Sequence, residues 1–124
     1  MFRWVALLNA VICLALFPLL LLSPGSYVEA YGVAADPGAD FLGRRASPMF
    51  LGLAVLFWMI RDAPPGPARR AVAWGVALMW VGIGLTGIYE FIRDTASSYT
   101  VVAAVIEAVL AGMLVAADRA QPRP

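Results

Sequence analysis

The chain has 124 residues, of which 62% are apolar, with a mean hydropathy of +0.82 and a net charge of +1. This apolar share exceeds the roughly 45–50% of soluble domains, and scattered arginines in a nearly neutral chain argue against nucleic-acid binding. Because histidine is absent and Cys13 is the single cysteine, the sequence predicts no metal site, no disulfide, no cofactor and no catalytic residue.

Four apolar stretches occupy most of the chain, at about residues 2–22, 42–60, 71–92 and 99–117. The first and third run for about 21 residues, which at ~1.5 Å per residue span the ~30 Å hydrocarbon core of a bilayer. The sequence therefore predicts an all-α fold, a single integral membrane domain built as a four-helix bundle. We expect an outer loop at 23–41 and a disordered tail at 118–124.

The first stretch begins beside Arg3 and contains Pro18, which removes a helix hydrogen bond and predicts a bend. One interpretation of this N-terminal segment is a signal peptide that is cleaved after Ala30. The apolar run of about 20 residues exceeds the roughly 7–15 typical of such signals, which favours an uncleaved helix instead. Asn9 is a strongly polar side chain well inside this helix, and we expect it to make an interhelical contact.

The second stretch carries arginines at its outer end. Ser47 followed by Pro48 has the pattern of a helix N-cap with proline at the first helical position. A helix from there to residue 60 covers only ~21 Å, so we expect the helix to begin earlier. Arg44 and Arg45 then lie at the outer interface, where they either bind lipid headgroups or pair with Glu90 or Asp94 at the same level.

Residues 41–54, with the sequence FLGRRASPMFLGLA, place two arginines and then a glycine at the entry to the second helix. This segment resembles the corresponding entry in small, uncharacterised bacterial four-helix membrane proteins of the DoxX-like kind. The resemblance implies a multi-pass protein of a bacterial inner membrane, and it supplies no catalytic residue.

The remaining stretches follow a connector, 61–70, that is rich in proline and glycine. Such a stiff connector predicts that the second and third helices are neighbours. The third and fourth stretches are separated by a short turn and predict a helical hairpin. Small residues let membrane helices approach closely, so we expect Gly82 and Ala108 to lie at the contact within this hairpin.

Glu107 lies about nine positions into the fourth stretch, near the bilayer midplane. A charge at that depth costs roughly 2.5–3.5 kcal/mol, so we expect Glu107 to face other helices, to be protonated, or both. It is then either a neutral group bonded to Thr86, Asn9 or a backbone carbonyl, or a proton or cation site. Glu90, nearer the outer interface, is a candidate interhelical polar contact or the partner of Arg93, which otherwise binds lipid headgroups.

Four spans place both termini on one side, and six of the nine arginines lie there. By the positive-inside rule this side is the cytoplasm. Because no motif identifies a reaction, we expect a non-enzymatic accessory, assembly or scaffold subunit, whose partners are the lipid bilayer and either another membrane protein or a second copy. Two alternatives stay open: a small proton-coupled transporter that uses Glu107, and a membrane enzyme or quinone-handling subunit.

Overall fold

The structure, a computed structural model, describes residues 1–120. The all-α prediction is confirmed: 82% of the structure is helical, and the described chain contains no strand. Within residues 1–120 the helices are α1 (Phe2–Leu22), α2 (Pro24–Glu29), α3 (Pro37–Ile60), α4 (Pro67–Ile92) and α5 (Tyr99–Arg119).

Three of these helices, α1, α4 and α5, are long and apolar enough to cross a membrane. The sequence predicts a fourth such span, but α3 is not long and apolar enough by its own length and composition. This helix has 24 residues, but Asp40, Arg44 and Arg45 lie in its first nine residues, leaving 15 uncharged residues after them. Those cover ~22 Å, which is short of the ~30 Å apolar core.

Helix α3 begins earlier than its apolar run indicates. Asp36 caps it, because the Asp36 carboxylate accepts a hydrogen bond from the Ala39 amide at 2.7 Å. Ser47 and Pro48, which have the pattern of a helix start, lie inside α3, as expected for a helix that begins before them. Pro48 has no N–H to donate to the carbonyl of Arg44, four residues earlier. The Ser47 hydroxyl donates to that carbonyl at 2.8 Å and replaces the missing bond.

Two segments predicted to lack regular structure are partly helical. The outer loop predicted at 23–41 contains α2 and the first turn of α3. The tail predicted to be disordered from 118 onward is helical as far as Arg119, because Asp118 pairs with Arg69 and Arg70 of α4 at 3.5 and 3.6 Å. Residues 121–124 of that tail lie outside the described residues.

The long helices pack as two pairs, α1 with α3 and α4 with α5, and α1 also packs against α5. Helices α3 and α4 are not a closely packed pair, so their predicted contact is wrong. Pro64 and Pro65 favour an extended connector, which carries the chain from one pair to the other. Both pairs contribute to one core, in which Cys13, Phe57, Ala73, Leu114 and Ala117 are 0% exposed.

The contact between α4 and α5 uses a different face from the predicted one. A Cβ added at Gly84 would lie 3.4 Å from the Cα of Ala104, so these two small residues bring the helices together. A Cβ at Gly82 would have nothing within 4 Å, and Ala108 is exposed. Because two residues turn a helix by about 200°, Gly82 and Gly84 point in nearly opposite directions.

One side of the molecule collects the ends of all four long helices and most of the arginines. Arg3 of α1 lies 3.5 Å from Asp62, which follows α3. Arg69 of α4 pairs with Asp118 of α5 and lies over the ring of Phe2 in α1, 4.6 Å from its centroid. Within the described chain this basic end holds five arginines against two aspartates, a net charge of +3.

The opposite side, the acidic end, joins α2 to the turn between α4 and α5. The Ser97 amide donates to the Tyr31 carbonyl at 2.7 Å. Gly32, between α2 and α3, has a φ of 77°, and a Cβ there would lie 3.0 Å from the Cβ of Ser97. Both the backbone conformation and the close approach therefore favour glycine. Three arginines and five carboxylates give this end a net charge of −2.

Candidate functional site

A cleft of about 350 Å³ opens between α4, α5 and the segment formed by α2 and the turn that follows it. Glu107 of α5 lines this cleft and also an adjoining cavity of about 240 Å³, which extends toward α1 and α3. We call the two together the Glu107 cleft. Its polar lining includes Tyr27, Tyr31, Thr86, Glu90, Thr100 and Glu107.

The position of Glu107 depends on a glycine of the facing helix. A Cβ at Gly84 of α4 would lie 3.1 Å from the Glu107 Oε2 atom, so any larger residue there would displace the carboxylate. Ala103 and Ala104, four and three residues before Glu107, lie on the same face of α5. Their small side chains leave space beside the carboxylate. Glu107 is half-buried, and its carboxylate therefore faces an open cleft instead of being sealed in the core.

Tyr27 and Tyr31 form the wall opposite the hairpin of α4 and α5. Their ring centroids are 5.2 Å apart with an interplanar angle of 70°, an edge-to-face arrangement. Burial, and secondarily the neighbouring Tyr31, raises the pKa of Tyr27 well above its usual range. Tyr27 therefore keeps its proton at neutral pH and presents an uncharged hydroxyl and an aromatic ring to the cleft.

Thr86 and Glu90 line the cleft without linking helices. The Thr86 hydroxyl donates to the Ile83 carbonyl of its own helix at 2.8 Å, so the predicted bond from Thr86 to Glu107 is not formed. Such bonds to a preceding turn are common for threonine in helices. Glu90 follows Gly84 by six residues, about 9 Å along α4, so Glu90 and Glu107 line different parts of one cleft.

No arginine within the described chain lines the Glu107 cleft. The predicted ion pairs of Arg44, Arg45 and Arg93 with Glu90, or of Arg44 and Arg45 with Asp94, are not formed within the described chain. Each arginine instead contacts a residue four positions earlier in the chain. The three contacts are Arg44 to the Asp40 carboxylate at 3.4 Å, Arg45 over the Phe41 ring at 5.6 Å, and Arg93 to the Tyr89 hydroxyl at 3.2 Å. Their binding to lipid headgroups stays a prediction.

Asn9 makes an interhelical hydrogen bond, although not with Glu107. Its side chain is 0% exposed, and the Trp80 indole N–H of α4 donates to its Oδ1 at 2.9 Å. The Asn9 Nδ2 donates in turn to the Val5 carbonyl, also at 2.9 Å. Since Trp80 lines the inner cavity of the cleft, Asn9 fixes the orientation of one apolar wall.

Sequence reasoning missed several residues that the structure brings together. Tyr27 and Tyr31 are four residues apart, a spacing that places them on one helical face, but they were assigned to a loop. The ion pair of Arg69 with Asp118 was also missed, although both side chains are buried, at 1% and 6% exposure. Its partners are 49 residues apart in the chain, so no local pattern indicates it.

Comparisons of the chain with known protein families, with curated proteins and with solved structures gave no match. The resemblance of residues 41–54 to DoxX-like proteins therefore stays a prediction.

Proposed function

We propose that this chain is a small multi-pass protein of a bacterial inner membrane with a non-enzymatic role, as an accessory, assembly or scaffold subunit. In this arrangement both termini lie in the cytoplasm and the basic end faces it. The observation that supports the proposal most directly is that α3 is too polar to be a span by itself and leaves one face without a partner in the described chain.

The uncovered face of α3 has features suited to another protein. Met49 and Met59 are 68% and 75% exposed on this face, with Leu56 between them at 39%. Methionine side chains adapt to irregular partners. Gly52 lies on the same face, and a Cβ there would have nothing within 4 Å, so a second helix has room to approach closely.

Site-specific photo-crosslinking in native membranes tests this proposal. A photo-reactive residue at Met59 should form an adduct of one defined protein mass. A matched control at Val105, which is 60% exposed on α5, should cross-link lipid alone. If both positions give only lipid adducts, or the same range of protein adducts, α3 does not carry a specific interface.

A second candidate function is a small proton-coupled transporter, and the Glu107 cleft favours it. Placing a half-buried carboxylate in a helix that is apolar enough to cross a membrane has an unfavourable free energy. The cleft gives this carboxylate access to a solute, and no arginine of the described chain lines the cleft to neutralise it. Such a group is suited to exchanging a proton for a cation.

Proton release distinguishes this candidate from the accessory role. Purified protein in weakly buffered solution should release protons when a cationic solute is added, and Glu107→Gln should abolish the release while preserving helix content and thermal stability. Glu29→Gln, which changes an exposed carboxylate outside the cleft, is the matched control. Equal release from the parent and Glu107→Gln would exclude Glu107 as the coupling group.

A further inference from the structure

We infer that the Glu107 cleft binds a hydrophobic organic cation, with the Glu107 carboxylate as its counter-ion. The inference deepens the second candidate function, because it names the class of solute. It requires binding but not transport, so binding and proton release are measured separately.

Charge is the first support. Glu107 and Glu90 line the cleft, and every arginine of the described chain lies outside it. An anionic solute would meet two carboxylates and no basic side chain. A bare metal ion lacks sufficient ligands, because no group of three acidic, cysteine or histidine side chains suited to a metal lies within residues 1–120.

The aromatic wall is the second support. Tyr27 and Tyr31 stand edge to face, 5.2 Å between centroids, so the two rings present surfaces at a steep angle to each other. The negative face of an aromatic ring attracts an ammonium group, and quaternary ammonium ligands are commonly bound by aromatic walls of this kind. Because these rings and Glu107 line the same cavities, one cationic group has both kinds of partner available.

The inner cavity is the third support, and it specifies the hydrophobic part of the ligand. Its volume is about 240 Å³, and apart from Glu107 and the tyrosines its lining is apolar, with Ile12, Phe50 and Trp80 contributed by three different helices. An apolar group attached to the cation would fill this space while the charge stays beside Glu107. The combined volume lies within the range of roughly 300–1,000 Å³ that is typical of small-molecule sites.

Isothermal titration calorimetry with the full chain in phosphatidylcholine nanodiscs tests the inference. The probe is benzyltrimethylammonium, and its neutral isostere, neopentylbenzene, carries carbon in place of nitrogen. Lipid discs without protein measure partitioning into the bilayer. We expect saturable binding of the cation to the protein and none of the isostere. Tetramethylammonium, which lacks the benzyl group, should bind more weakly because it leaves the inner cavity empty.

Variants identify the contacts. Glu107→Gln should weaken binding by about 30-fold or more, since removing one partner of a desolvated charge pair has an effect of that order. Tyr27→Leu should weaken it by about fivefold, whereas Tyr27→Phe, which keeps the ring, should not. Glu29→Gln is the matched control and should bind as the parent does.

Several outcomes would overturn the inference. These are equal affinity of the parent for the cation and its isostere, unchanged affinity in a folded Glu107→Gln variant, and no saturable heat with the cation at millimolar concentrations. If Glu107→Gln fails to fold, binding of the isostere and binding by the two Tyr27 variants still test the inference. Saturable binding without proton release would retain the cation site and remove the transporter candidate.

Discussion

At the scale of single residues, glycine decides where the Glu107 carboxylate lies. Gly84 leaves space for the carboxylate and for close packing against Ala104, whereas Gly82 is on the open side of α4. The sequence indicated that small residues lie at the contact between α4 and α5, but it did not show which glycines belong to that contact. That choice depends on the rotation of the helix, which is fixed by the packing of distant residues.

We predict that Gly84→Leu lowers the stability of the protein and Gly82→Leu does not. A leucine at position 84 would overlap the positions of Glu107 and Ala104, and overpacking of this kind costs about 1–3 kcal/mol. Thermal unfolding in mild detergent, followed by helix circular dichroism, measures the difference. Equal melting temperatures of the two variants would show that the hairpin contact is misplaced.

At the scale of helices, Ser47 and Pro48 show why the start of α3 is difficult to place from sequence. The pair matches a helix start, and the charged residues before it interrupt the apolar run. The actual start is Asp36 with Pro37, which has the same local chemistry. Two equivalent start signals 11 residues apart cannot be ranked from sequence, because either proline position is compatible with a helix if its carbonyl partner is satisfied.

A double-mutant cycle tests this account of Ser47. Ser47→Ala removes the donor to the Arg44 carbonyl and should destabilise the fold by about 1 kcal/mol. Pro48→Ala restores an N–H that can bond the same carbonyl. We therefore expect Ser47→Ala to have little effect in the Pro48→Ala background. Additive effects in a comparison of melting temperatures would mean that the two residues do not share this carbonyl.

The end of α5 illustrates a contact that a local pattern cannot predict. Asp118 appeared to belong to a polar tail, but it is held by Arg69 and Arg70 at the start of α4. The apolar lengths of α1, α4 and α5 were readable from sequence, whereas this pairing depends on which helix ends the fold brings together. The same limit applies to the cleft, whose two tyrosines are distant in sequence from Glu107.

We predict that Asp118→Ala destabilises the protein by about 3–5 kcal/mol, the usual effect of removing one member of a buried ion pair. Asp62→Ala is the matched control, because Asp62 is 55% exposed in its pairs with Arg3 and Arg61, and exposed pairs contribute about 0–1 kcal/mol. Denaturation of both variants in detergent provides the measurement. A change no larger for Asp118→Ala than for Asp62→Ala would argue against a structural role for the pair.

At the scale of the whole molecule, charge divides the protein into a basic end of +3 and an acidic end of −2. Both helix pairs contribute charged residues to each end, so the charge asymmetry is a property of the whole molecule and not of one hairpin. The arginine asymmetry was predictable from sequence, since it follows from counting residues between apolar stretches. The packing of the long helices as two pairs could not be predicted from sequence, because composition does not specify which helices contact each other.

We predict from this asymmetry that reporter fusions after Arg70 report the cytoplasm and fusions near Asp36 report the exterior. Arginine at the ends of membrane helices favours the cytoplasmic side. Replacing Arg69 and Arg70 with glutamine while adding two arginines near Asp36 should reduce the proportion of molecules with this orientation. A cytoplasmic signal from the Asp36 fusion in the parent chain would contradict the proposed topology.

The limited apolar length of α3 has a consequence for biosynthesis. Because α3 offers only 15 uncharged residues after its arginines, a translocon would release it into lipid inefficiently if it emerged from the ribosome by itself. Helix α1 precedes α3 in the chain and is long and apolar enough to cross a membrane. Its close packing with α3 provides a surface on which the later helix can settle. We therefore expect α1, which precedes α3 in the chain, to assist the insertion of α3 into the membrane.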